Sequence, residues 1–400
     1  MLSALAFRKR IAFLNGFPRL GGAERSLLEL VSRIDRDRFD PCLVTAEEGE
    51  LSREAVRLDI PVHFCPIPAS LSEMSRTALA PATLCGAPVP LLRYLGRLDR
   101  CLRATRAHMI YSNAMKDHIA SALLRPFLCK PVVWHFRDTV EVRTFRIFIE
   151  VLALTTSTHL IANSNFTASQ FPRLLQRRGK CTVVYNGMNL VEIDRLRKRG
   201  TEGVVPADDG IVVGIVGALC PEKGQELLIR ALRPVASKLP VSCWIVGDEM
   251  YETSRHVRGY RAHLEKTARE LDIRDRVHFL GWRRDVVALL DRMDLLVCAS
   301  NPELSIETFG RTVTEAMACA KPVVSVAHGG PLETVVDGVT GRLFKDYAPE
   351  PLSRAILELA RDRDRRERMG HAGRERVEQC FTLEQYVRGV ETCIEDVLAS

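Results

Sequence analysis

Apolar positions along this chain fall into two kinds of pattern. Short continuous runs, residues 10–14, 41–45 and 60–65, read as buried strands. Between the first two, residues 23–34 place Leu27, Leu28, Leu30 and Val31 on one side of a helix. Strand, helix, strand at this spacing is the βαβ rhythm of a parallel sheet. Further strands are expected at 109–111, 132–135, 160–162 and 182–185. A helix is expected over 91–106, where Leu91, Leu95, Leu98 and Leu102 recur at helical spacing. Arg93, Arg97, Arg100 and Arg103 lie off that stripe. Residues 66–90, rich in Pro, Ala and Ser, predict no clear element.

A linker is expected at 186–209, with a charge run over 195–199 followed by Gly203, Pro206 and Gly210. The rhythm then restarts. Strands are expected at 211–216, 241–246, 277–280, 295–298 and 322–325. Helices are expected at 225–239, 261–271, 286–293, 312–320 and 331–336. From Pro349 onward the chain reads as mostly helical. Two consecutive doubly wound α/β units imply a cleft between them, with ligands beyond the carboxyl ends of the strands.

Composition adds little to this: 400 residues, 46% hydrophobic and 27% charged, suit an ordinary globular chain of two or three domains. The 12 cysteines are scattered with no C-x-x-C, which argues against a zinc knuckle or redox pair of that type and fits a reducing cytosol. At the N-terminus charge follows the apolar stretch, a poor signal peptide, and no run reaches membrane-spanning length. The chain therefore reads as soluble or peripheral.

Charge is more telling. Residues 1–200 hold 30 Lys and Arg against 18 Asp and Glu, whereas residues 201–400 hold 27 against 32. Either the first half meets something anionic, or it carries an ordinary solvated basic surface. Nucleic acid is the least favoured partner, because the basic residues lack interleaved aromatics.

The most informative segment is Glu307-Thr308-Phe309-Gly310-Arg311-Thr312-Val313-Thr314-Glu315. A loop carboxylate precedes a helix that carries a second one eight residues later. The helix N-terminus is a ready anion site. If helical throughout, the segment separates the glutamates by about 12 Å. A hydrolytic pair needs roughly 5–9.5 Å, so the spacing suits two ends of one long ligand. The plain alternative is a surface helix glutamate and an unrelated loop carboxylate.

With Gly214 to Gly217, Glu222-Lys223-Gly224, Gly329-Gly330, Glu333 and Asp337-Gly338-Val339-Thr340-Gly341, this segment resembles the retaining glycosyltransferases of the GT-B fold, glycosyltransferase family 4. Gly21-Gly22-Ala23-Glu24, Ile161-Ala162-Asn163-Ser164, Val184-Tyr185-Asn186-Gly187 and Phe279-Leu280-Gly281 match in the same order, from about residue 10 to 385. The resemblance implies two Rossmann-like domains facing across a cleft: residues 1–190 for the acceptor, 205–375 for the donor, and a C-terminal segment, 376–400, returning to the first domain. It implies transfer of a hexosyl group from a nucleotide-diphosphate sugar, with retention and without a metal or other cofactor. The expected acceptor is a glycan or lipid-linked sugar in polysaccharide assembly. The expected location is cytoplasmic, peripheral to the anionic inner membrane face, where the arginines around 93–106 would rest.

Residue by residue, the resemblance assigns Glu307 to donor-sugar hydroxyls, and backbone amides of Phe309, Gly310, Arg311 and Thr312 to sugar and diphosphate. Glu315 would bind the ribose, Lys223 the diphosphate, and the Gly21–Gly22 loop would close over phosphates. Trp282 and Arg283 would line the nucleobase. His135 would bond a sugar hydroxyl or orient the acceptor, and is expected at the end of a strand. Lys223 and oriented amides would stabilise charge developing on the departing diphosphate. One departure stands out: Ala218 occupies the place of a usual second diphosphate cation, which Arg19, Arg137 or Arg311 could replace. Two rival readings follow from the same residues: a catalytically silent sugar-nucleotide or lipid binder, and a nucleotide-sugar epimerase or phosphorylase on the same fold.

Overall fold

The computed structural model describes residues 8–72, 88–140, 142–203, 205–206, 210–249 and 258–399. They form two compact units. One takes in the described residues up to Gly187 and those from Leu383 onward; the other is Met188–Thr382.

The first unit holds β1 (Lys9–Leu14), α1 (Gly22–Arg33), β2 (Phe39–Thr45), α2 (Glu50–Arg57), β3 (Val62–Phe64), α3 (Ala69–Ser72), α4 (Pro88–Ala104) and β4 (Met109–Ser112). It continues through α5 (Met115–Leu128), β5 (Val132–Phe136), α6 (Arg143–Thr156), β6 (His159–Ala162), α7 (Asn165–Ser169), α8 (Arg173–Arg177) and β7 (Cys181–Val183). Its seven strands pair in parallel in the order β3-β2-β1-β4-β5-β6-β7. Both faces of the sheet are covered, so β5 reads as the unbroken run Val-Val-Trp-His-Phe, buried throughout.

The second unit opens with α9 (Leu190–Arg199) and then β8 (Ile211–Val216). A single 3₁₀ turn at Pro221–Lys223 leads into α10 (Gln225–Ala236), β9 (Val241–Val246), α11 (Tyr260–Glu270), β10 (Val277–Gly281), α12 (Val286–Arg292) and β11 (Leu295–Cys298). It closes with α13 (Arg311–Ala318), β12 (Val323–Val326), α14 (Pro331–Thr334), β13 (Gly341–Phe344), α15 (Pro349–Arg361) and α16 (Arg363–Cys380). Its six parallel strands run β10-β9-β8-β11-β12-β13. The last helix, α17 (Leu383–Ala399), belongs to the first unit. Its Leu383, Tyr386, Val390 and Ile394 join Leu27, Leu30 and Val31 of α1 in one buried cluster.

Three sequence expectations change. The segment read as a linker contains α9, because the Asn189 side chain caps the helix at the Glu192 amide, Ile193 is buried, and Arg197 pairs with Asp291 of α12 at 2.8 Å. The chain passes from the second unit back to the first at 382/383 rather than 376, since α16 continues unbroken to Cys380. Helices α2, α5 and α6 and strand β13 were not legible in the periodicity. Of the unassigned stretch 66–90, residues 73–87 and with them Cys85 lie outside the described residues. The other cysteines are free, and Cys129 and Cys380 are exposed.

In both sheets the strand order reverses beside the first strand, between β1 and β4 and between β8 and β11. Loops leaving the carboxyl ends of those neighbours splay to opposite faces and leave a crevice, the usual ligand position of an open α/β sheet.

Candidate functional site

In the second unit the two loops at the switch point carry Lys223 and Glu307. The loop after β8 turns at Gly217 and folds into the 3₁₀ turn that ends on Lys223. Gly224 follows with φ +73°, and a Cβ there would fall 1.8 Å from the Ala299 carbonyl oxygen. Only glycine permits both the left-handed backbone and that approach. The Asn301 amide donates to the Glu222 carbonyl at 2.8 Å, tying this loop to the one after β11. The buried Gln225 donates its side-chain amide to the Ala218 carbonyl at 2.8 Å.

The Lys223 Nζ meets Glu307 Oε2 at 2.8 Å, with side chains 38% and 22% exposed. Ser300 Oγ lies 3.5 Å from the same oxygen. The adjacent ammonium holds Glu307 below the usual carboxylate range, assisted by the Gly310 amide. Glu307 in turn raises the Lys223 pKa. Glu307 itself is held from behind: its carbonyl accepts the Gly330 amide at 2.8 Å, and Gly329, at φ +64°, sits where a Cβ would be 2.4 Å from that carbonyl.

Past Glu307 the chain turns into α13. Phe309 is buried edge-to-face on Phe381, Gly310 adopts φ +84°, and Arg311 is the first helical residue. The positive end of the helix dipole therefore lies three residues from the Lys223–Glu307 pair. Thr312 is half-buried, and Glu315 accepts Arg311 Nε at 2.9 Å one turn along. The loop after β10 presents Trp282, 53% exposed, beneath the Arg284 guanidinium. Arg283 forms a two-pronged pair with Asp285 at 2.7 and 2.6 Å and also donates to the Glu202 carbonyl, which anchors this loop.

In the first unit, Gly21 caps α1. Its amide donates to Glu24 Oε2 at 3.1 Å, and Gly22 begins the helix. The Gly-Gly-Ala-Glu string thus folds a buried glutamate, whose pKa burial raises, back onto the amide that precedes the helix. His135 lies within β5, one residue short of its end, and is 0% exposed. Its Nδ1 accepts from Tyr111 Oη and from Arg137 at 3.1 Å, so the neutral ring carries its proton on Nε2. Burial and the Arg137 charge hold its pKa well below the usual histidine value. Arg137, beyond the strand end, also donates to Asn113 at 3.1 Å, Tyr386 at 2.6 Å and Asn186. The structure thus places His135 in the core, in a network that joins β4, β5 and α17.

Sequence reading missed Asp117. It is 1% exposed at the start of α5, where Oδ2 accepts the Gly16 amide at 3.0 Å. Nothing in the periodicity signals it, since Asp117 itself helps to break the apolar stripe of α5. Burial pushes its pKa up to about 7 from 3.8. The folded protein binds this proton more tightly than the unfolded chain. The associated stability is complete below about pH 4 and is lost as pH rises through about 7. Asp117→Asn stays neutral, so wild type should lose several degrees more melting temperature than the variant between pH 5 and 8. Parallel profiles from calorimetry at those pH values would refute this.

The whole architecture is that of the GT-B class. HepE of Anabaena, solved in complex with UDP and glucose, superposes with a TM-score of 0.78 at 25% identity, covering 97% of this chain and 100% of that one. Sequence models described as Glycosyltransferase Family 4 and Glycosyl transferases group 1 match residues 20–192 and 201–376. The chain belongs to the family 4 glycosyltransferases. An uncharacterised glycosyltransferase of Methanocaldococcus jannaschii is 28% identical over 61% of this chain and 61% of its own length. D-inositol 3-phosphate glycosyltransferase of Kribbella flavida is 31% identical over 59% of this chain and 56% of its own length. The chain thus spans less than two thirds of the length of these two relatives.

Proposed function

We propose that this protein transfers a hexosyl group from a nucleoside-diphosphate sugar to an acceptor with retention of anomeric configuration. The observation that carries the reading is the Lys223–Glu307 pair at the switch point of the second unit, beside the N-terminus of α13. Breaking the anomeric bond leaves negative charge on the diphosphate and positive character on the sugar. Lys223 and the helix dipole would stabilise the former, and Glu307, held ionised by Lys223, would accept hydrogen bonds from sugar hydroxyls. A front-face reaction, in which the leaving phosphate oxygen takes the acceptor proton, needs no protein nucleophile and no metal. Chelation by EDTA should therefore leave the rate unchanged.

UDP-sugars are the first donors to test, because HepE binds UDP and glucose. The Trp282 ring offers a stacking face for the base. The acceptor reading is a lipid-linked or surface-polysaccharide glycan, met at the anionic inner membrane face. It is supported by Arg93, Arg97, Arg100 and Arg103, all exposed along α4. Among the described residues no helix is long and apolar enough to cross a membrane.

The test is a thermal-shift panel of UDP-, GDP-, ADP- and TDP-sugars, followed by transfer with the stabilising donor to lipid-linked acceptors. One donor class should raise the melting temperature through linkage and support transfer with retention. Stabilisation without transfer would favour the silent binder. Epimerised sugar nucleotide, or sugar release that depends on phosphate, would favour the other enzyme reading.

A further inference from the structure

Three cysteines of the first unit come together although they are far apart in sequence. Cys42 lies on β2, Cys65 directly follows the edge strand β3, and Cys101 is in the last turn of α4. Cys42 and Cys65 are 3% and 4% exposed, and the half-buried Cys101 packs against the same apolar cluster. The Cys65 amide donates to the Thr45 carbonyl at 2.8 Å, which fixes that residue at the sheet edge. Its thiol donates to the Cys101 sulfur. The Cys42 thiol is engaged elsewhere, on the Ile11 carbonyl at 3.6 Å.

The Cys65–Cys101 pair is asymmetric. Accepting the Cys65 S–H brings the Cys101 pKa down to about 7, whereas the same bond, with burial, raises that of Cys65. Near neutral pH Cys101 therefore has a large share of thiolate, the reactive form, beside a partner that keeps its proton. Arg97 and Tyr94 of α4, Cys42 of β2 and Asp117 of α5 face the two thiols. Burial pushes the Cys42 pKa up to about 12, so Cys42 stays a thiol.

A second observation gives the pair an approach from solvent. A cavity of about 630 Å³ opens between the segment that follows Cys65 and the helix that carries Cys101, lined by Pro68, Ser70, Arg93, Arg97 and Arg100. Arg97 lines this cavity and also faces Cys65, which places the opening next to the thiols.

We infer that Cys65 and Cys101 form an oxidation site, in which a peroxide closes the two thiols into a disulfide that locks α4 to the edge of the first sheet. The Cys101 thiolate attacks a peroxide oxygen: an S–O bond forms, the O–O bond breaks, and the departing hydroxide takes a proton from solvent. The Cys65 sulfur then attacks the Cys101 sulfur. The S–S bond forms, the S–O bond breaks, and the second hydroxide leaves as water with the Cys65 proton. The thiols lose two electrons, and the peroxide gains them as two waters. A thiol reductant reverses the change. The new bond closes the chain between residues 65 and 101, which restricts the unfolded state and raises stability. None of these residues belongs to the donor site, so the inference does not depend on the glycosyl-transfer reading.

Hydrogen peroxide is the probe. The reduced full chain is treated at pH 7, alkylated and digested without reduction, and its peptides are mapped by mass spectrometry. A peptide joining Cys65 to Cys101 should dominate the cross-linked products and vanish with dithiothreitol. The melting temperature of the oxidised wild type should rise by several degrees, with no rise in Cys65→Ala. In Cys65→Ala, Cys101 should instead stop at sulfenic acid, trapped by dimedone. In Cys101→Ala, Cys65 should stay reduced, because its thiol keeps its proton. A second readout needs no variant: alkylation of Cys101 should rise with pH through a midpoint near 7. Linkage of Cys101 to Cys42 or Cys85 instead, or a Cys65–Cys101 link that forms only in denaturant, overturns the inference. So does overoxidation of Cys101 in the wild type without any link to Cys65.

Discussion

Lys223→Ala is expected to lower the turnover number for glycosyl transfer by about 10²–10³, the usual cost of removing one preorganised group that stabilises developing charge. The loss should appear in kcat more than in KM, because the charge on the leaving diphosphate is largest in the transition state. Its ion-pair partner is affected as well. Without the ammonium, the Glu307 carboxylate keeps the Ser300 hydroxyl and the Gly310 amide but loses its counter-charge. Its pKa should rise towards the ordinary 4.5 or beyond. In wild type the pair contributes to stability between the two ordinary values, 4.5 for the acid and 10.5 for the amine. That contribution is lost as pH falls through the depressed value of Glu307 or rises through the elevated value of Lys223. The pair is partly solvated, so this stability term is small and the catalytic one dominates. Steady-state kinetics that leave kcat within a factor of three of wild type would remove Lys223 from the mechanism.

The largest effect on stability is expected at Arg137→Ala, about 3–5 kcal/mol, as for other buried charges whose network is broken from one side. The guanidinium is 8% exposed and bonds Asn113, Asn186, His135 and Tyr386. Removing it leaves four buried polar side chains without that partner. Tyr386 is on α17, so the final helix should lose hydrogen-exchange protection first. Arg137→Lys keeps the charge but cannot span the same partners, and should recover only part of the loss. Equal protection of residues 383–399 in wild type and Arg137→Ala would show that α17 is held by its apolar contacts alone.

The parallel sheets were legible because strands buried on both faces must be almost continuously apolar: residues 211–216 and 295–298 carry no polar side chain, and 241–246 is broken only by the buried Ser242. Helix α5 was not legible because Asp117, His118 and Ser121 occupy buried positions and break its apolar stripe. Helix α6 hid for the opposite reason: Ile147 and Val151 lie on its exposed side and blur the period. In the site, the E-x7-E spacing and Lys223 were legible as separate features. Their direct pairing was not, because it joins residues 84 positions apart through the strand order. For His135 the sequence gives a histidine near a strand end, and only the pleat decides which way it faces. The ring lies on the side of Tyr111 and Tyr386, with Trp134 and Phe136 in the opposite core cluster.

The central claim is that the second unit holds a nucleoside-diphosphate sugar at the Lys223–Glu307 site. Hydrogen–deuterium exchange of the full chain, with and without the donor that most raises its melting temperature, tests this most directly. Protection is expected in residues 217–224 and 307–315 together, and should be lost in Lys223→Ala. Donor-induced protection that spares both segments, or persists unchanged in Lys223→Ala, would contradict it.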